Sequence, residues 1–81
     1  MKEVRIYLHG MEDIQKFVGV TAKFPEKLDL LPQDDDDTRV SGKSVVGIFS
    51  LDYQHPLRLR IHADDERAEA ICGELKDFLI N

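Results

Sequence analysis

Val4, Ile6 and Leu8 alternate with Arg5 and Tyr7, a period of two that predicts a strand with one wet face. After Gly10 the apolar spacing changes to threes and fours through Met11, Ile14, Phe17, Val18 and Thr21, and Pro25 closes the run. That predicts an amphipathic helix, helix A. Glu12 and Asp13 fall in its first turn, where carboxylates suit the positive end of the helix dipole, and Lys23 is expected in its last. The words "EKLDLLP" and "TRVSG" set Leu28, Leu30 and Val40 on two short strands joined through "QDDDD", a hairpin. Ser44 to Leu51 reads as a short helix B, with Ser44 as N-cap because a hydroxyl there accepts a bond from an unpaired backbone N–H. "PLRLRIHA" alternates Leu57, Leu59 and Ile61 against Arg58, Arg60 and His62, a strand with a cationic outer face. Asp64 or Asp65 opens helix C, whose apolar stripe runs through Ala68, Ile71, Cys72, Leu75, Phe78 and Leu79.

The order β-α-β-β-α-β-α predicts an α+β fold, an open-faced β-sandwich in which a four-stranded antiparallel sheet is covered on one face by three helices. Arg5, Tyr7, Arg58, Arg60 and His62 are what the uncovered face would carry. The length of 81 residues implies one domain over 1–81 and a shallow site, because a chain this small has no room for a second core or an enclosed cofactor chamber.

Charge changes the picture more than composition does. With 16 acidic against 11 basic side chains the net charge is -5, which repels nucleic acid and anionic membrane surfaces alike. No apolar run approaches a bilayer span, so membrane insertion is not expected. One cysteine rules out an internal disulfide, and the alternating N-terminus "MKEVRIYLHG" lacks the apolar block of a signal peptide; a cytoplasmic location is the expectation. The charged run Asp34 to Asp37 lacks the alternating ligands, sharp-turn glycine and terminal glutamate of a calcium loop, and reads as a solvated hairpin tip. His9, His55 and His62 lie in three different elements with no cysteine or carboxylate at ligand spacing, so neither a metal nor another cofactor is implied. Cys72 belongs to the helix C stripe as a small core residue.

The most informative stretch is "GKSVVGIFSLDY", which puts Val45, Val46, Ile48, Phe49 and Leu51 into seven consecutive positions. On so short a helix, Ile48 and Leu51 can turn inward while Val45, Val46 and Phe49 stay partly outside, as a docking surface for another protein. Phe49 is the natural anchor, and Gly47 would let another backbone approach.

This stretch resembles the regulatory-serine segment of the HPr family, the small phosphocarrier proteins of the bacterial sugar phosphotransferase system: a Lys-Ser pair, two apolar residues, Gly, two more apolar residues, then Ser-Leu. Similar spacing occurs in "KFVGVTAKF" and in "LRLRIHADDERAEAICGEL", so the resemblance covers nearly the whole chain. It implies partners among the components or regulators of that system, a partner-binding face at Val45, Val46 and Phe49, and a regulatory phosphorylation site at Ser44. The acid run is an insertion ahead of Ser44, which places recognition by the family's kinase in doubt.

The resemblance also implies a phosphoaccepting histidine at the start of helix A, in the pattern His-x-Arg-Pro. Here the histidine's place falls on Gly10, the arginine's on Glu12 and the proline's on Asp13. Two fixed carboxylates within about 6 Å of a dianionic phosphoryl group cost on the order of 1 kcal/mol or more. The expectation is therefore a non-enzymatic regulatory or protein-binding module without histidine phosphotransfer. The alternative is an active phosphocarrier that uses His9, one place earlier, as a displaced acceptor. A third possibility, outside the system, is that the sheet's cationic face binds an acidic partner or pairs with itself. The sequence leaves the oligomeric state open.

Overall fold

The computed structural model describes residues 1–80. Its elements are β1 (Lys2–Ile6), α1 (Met11–Thr21), β2 (Leu28–Pro32), β3 (Val40–Ser41), α2 (Val45–Phe49), β4 (Leu57–Ile61), α3 (Asp65–Glu74) and β5 (Leu79–Ile80). The strands form one sheet in the order β3-β2-β4-β1-β5, and every neighbouring pair is antiparallel. The predicted open-faced α+β architecture is what the chain adopts.

Register explains which side is core. Leu28 pairs with Ile61, Leu30 with Leu59, and Ile6 with Leu57. These side chains share one face, and the three helices cover it with Ile14, Phe17, Ile48, Ala68 and Ile71, all buried. Burial of such side chains is worth roughly 1.5–3 kcal/mol each and is the main force holding the helices on the sheet. Phe17 of α1 meets Phe78 edge-on, with ring centroids 5.3 Å apart.

Four expectations need correction. First, α1 stops at Thr21, so Lys23 lies beyond its last turn. The Thr21 hydroxyl donates to the Gly42 carbonyl at 2.8 Å, and the chain turns away there towards Pro25. Second, helix B is shorter than Ser44 to Leu51, with Val45–Phe49 as its helical body. Third, helix C ends at Glu74 instead of running to Leu79. Phe78 folds back into the core, its carbonyl accepts from the Tyr7 N–H at 2.9 Å, and Leu79–Ile80 pair with Ile6 and Arg5. The free edge of β1 offers unpaired backbone groups, and satisfying them outweighs another helical turn. The sheet therefore has five strands rather than four.

The fourth correction concerns the acid run. It is exposed, yet it does not stand out into solvent as a self-repelling tip. Asp35 closes its own turn by accepting from Asp37 N–H at 2.8 Å and from the Thr38 hydroxyl at 2.7 Å. Those bonds, led by the Thr38 hydroxyl, hold its carboxyl below the usual range. Asp36 then reaches the Arg58 guanidinium at 2.6 Å, which brings the loop back against the sheet's outer face. Leu31 belongs to that face, in register with Arg58, and is fully buried although it lies outside the core cluster.

Candidate docking face and the two helix entrances

α1 and α2 pack against each other, and their two entrances are built differently. At α1 the N-cap is Gly10, which has no side chain to offer the open N–H groups; its backbone is extended, and a Cβ there would meet no atom within 4 Å. Glu12 and Asp13 occupy the first turn. Asp13 reaches back and accepts from the His9 backbone N–H at 3.0 Å, satisfying one donor just outside the helix. Glu12 pairs with Lys16 one turn on, at 3.3 Å. His9 is exposed, with its ring edge-on to Tyr7 at 4.8 Å between centroids. The arrangement stabilises a helix start and places carboxylates where an anion would need donors.

At α2 the N-cap is Ser44, with extended backbone and its Oγ accepting from the Gly47 N–H at 3.0 Å. The preceding turn is anchored: Gly42 N–H donates to the Leu28 carbonyl at 2.8 Å, and the Lys43 amino group donates to the Phe24 carbonyl. Gly47 packs closely against its own fold, since a Cβ there would sit 3.2 Å from Val40 Cβ and 3.3 Å from Ser44 Oγ, a tight fit that the neighbours would have to yield to. The close approach expected at this glycine is thus to β3 and to the cap itself.

Ile48 and Leu51 are buried as the spacing predicts, and the outer side of α2 is apolar. Val46 is 81% exposed and Phe49 53%. Val45 is partly buried and packs against the core at the inner border of this side. Tyr53 is partly buried in the same way, and its ring lies 5.9 Å from that of Phe49, tilted by 33°. The spacing of four between Phe49 and Tyr53 was the available signal, but Tyr53 follows the helix and its orientation depends on the turn. A shallow groove of about 290 Å³ continues from this turn, lined by Asp34, Asp35, Asp52 and His55 among others. Asp52 and His55 approach to 3.5 Å.

The remaining singled-out residues have structural partners. His62 Nε2 lies 2.8 Å from Asp29 Oδ2 on the outer sheet face, so this histidine is held by a carboxylate that is itself buried. Burial pushes the Cys72 thiol up, which disfavours the reactive thiolate. Among the described residues no group of three His, Cys, Asp or Glu side chains is placed to hold a metal ion, and no helix is long and apolar enough to cross a membrane.

Comparison with known proteins gives a consistent result. A family model described as the PTS HPr component phosphorylation site matches residues 11–81. Among solved structures the chain is similar to the crystal structure of HPr-C-His from Thermoanaerobacter tengcongensis, at 30% sequence identity and a TM-score of 0.71, over 95% of this chain and 89% of that one. No curated protein sequence matches.

Proposed function

The chain belongs to the HPr family of phosphotransferase-system components, and from that premise we propose that it acts as a docking and regulatory module of the system without histidine phosphotransfer. The observation that carries the second half of this reading is the α1 entrance. Gly10 stands where the resemblance puts the phosphoaccepting histidine, and Glu12 and Asp13 fill the first turn. A transferable phosphoryl group needs donors and cationic neighbours; here it would meet two like charges instead.

Docking through α2 is supported by the exposed Val46 and Phe49, extended by Tyr53 and bordered by Val45. An aromatic at the centre of such a patch commonly dominates binding energy. Ser44 is the proposed regulatory site: a phosphate on its Oγ would add about two negative charges beside this face. The family favours a cytoplasmic protein acting with other proteins. Recovery of bound proteins on immobilised parent and Phe49→Asp chains tests the docking face. The proposal expects the variant to lose the recovered partner, and equal recovery from both removes α2 from the account.

A second reading has one observation in its favour: His9 is exposed and directly precedes the α1 entrance. On that reading it relays phosphate to sugar-transport components, and transfer disappears in His9→Ala.

A further inference from the structure

The outer sheet face carries a cluster that the docking reading does not use. Arg58 and Arg60 point to this side from β4, with Glu3 of β1 beside them. Glu3 lies 2.9 Å from Arg60 Nε and 3.6 Å from Arg58 Nη1. The loop at residues 33–38 wraps the other side of Arg58. That guanidinium donates to the Pro32 carbonyl at 3.0 and 2.9 Å, to the Asp35 carbonyl at 3.2 Å, and to Asp36 at 2.6 Å. The same Asp36 oxygen is 3.6 Å from Arg60 Nη2. One carboxylate thus bridges two arginines whose side chains are only 15% and 22% exposed, while Asp36 itself is 71% exposed.

We propose that this face is a binding surface for an acidic peptide segment of another protein, and that the chain's own acid loop is its built-in competitor. Asp36 displays the chemistry of the occupant: a peptide carboxylate seated between Arg58 and Arg60. The strap is weakly fastened. Its ion pairs end on a carboxylate that is 71% exposed to screening solvent, and adjacent Asp34 and Asp37 repel that carboxylate. A segment with several carboxylates can displace it by offering more than one to the arginines. Leu31 pairs with Arg58 across β2 and β4 and is fully buried on this face. The surface lies on the opposite side of the sheet from α2, so its fate is independent of the docking face.

The test is an NMR titration with a hexaglutamate peptide at low salt. Asp36→Asn, which alters an exposed side chain, is expected to bind about three- to tenfold tighter than the parent, because the competitor is weakened. Amide shifts should centre on Leu31, Arg58 and Arg60. Glu69→Gln makes the same charge change on the helical side and is expected to leave affinity unchanged. Adding Arg60→Gln to Asp36→Asn should erase the gain. Equal gains from Asp36→Asn and Glu69→Gln would reduce the effect to net charge and overturn the proposal. Shifts centred on α2, or no binding by Asp36→Asn, would overturn it as well.

Discussion

The entrances of α1 and α2 present the same physical problem, a row of backbone N–H groups without partners, and the chain solves it in two ways. At α2 a hydroxyl caps the helix and a glycine lets the cap pack against β3. At α1 the cap position has no side chain, and an aspartate in the first turn reaches back past it to the His9 N–H. The difference teaches where each entrance is constrained. The α2 entrance packs closely on the fold, with Gly47 against Val40 and the Ser44 cap. The α1 entrance is spacious and makes few demands on the fold. The acids found there sit in the first turn without crowding the fold, Glu12 against Lys16 and Asp13 on the His9 N–H.

The largest contrast is between the two glycines. Gly47→Val drives methyl groups into Val40 and the Ser44 cap and should cost about 1–3 kcal/mol in denaturant unfolding. Gly10→Ser, which meets open space, should move stability by less than about 0.5 kcal/mol. Similar losses at both positions would break the comparison. Next, Ser44→Ala should cost about 1 kcal/mol through the lost cap, against a few tenths for Asp13→Asn at its exposed, peripheral contact.

The smallest effect is electrostatic and lies away from both entrances. The Arg67 guanidinium beside Glu26 holds that carboxyl below its ordinary range. A carboxyl with a depressed folded-state pKa contributes stability above its unfolded pKa and loses it as pH falls through the folded value. Thermal unfolding should therefore show a slight stability loss below about pH 4 that is reduced in Glu26→Gln. A variant that keeps the full acid sensitivity would remove this pair from the explanation.

Most of the fold was legible because the inner-face residues obey simple periods. β1, β4 and α1 follow directly from alternation and from three-four spacing, and Ser44 announces its cap by type and position. The C-terminus was not legible in the same way. Leu75, Phe78 and Leu79 fit a helical stripe, but the same spacing serves a turn that returns Phe78 to the core and adds β5 to an open edge. The acid loop was hidden for a different reason: four like charges read as mutually repelling until Arg58, distant in sequence, is placed beneath them. Asp29 and Leu31 share that lesson, since both are buried on the outer side of β2, Asp29 against His62 from the neighbouring strand's end. The exposed apolar side of α2, the proposed docking surface, was readable in "VVGIF" from Val46 and Phe49, whereas the ring of Tyr53 beside Phe49 depends on the turn after the helix.

The most direct test of the central claim is mass spectrometry of the intact chain after incubation with phosphoenolpyruvate and the phosphotransferase system's first enzyme. The account predicts no acid-labile phosphate on His9, His55 or His62 while a control family member is fully modified. Phosphate on His9 that passes on to a sugar-transport component would contradict it.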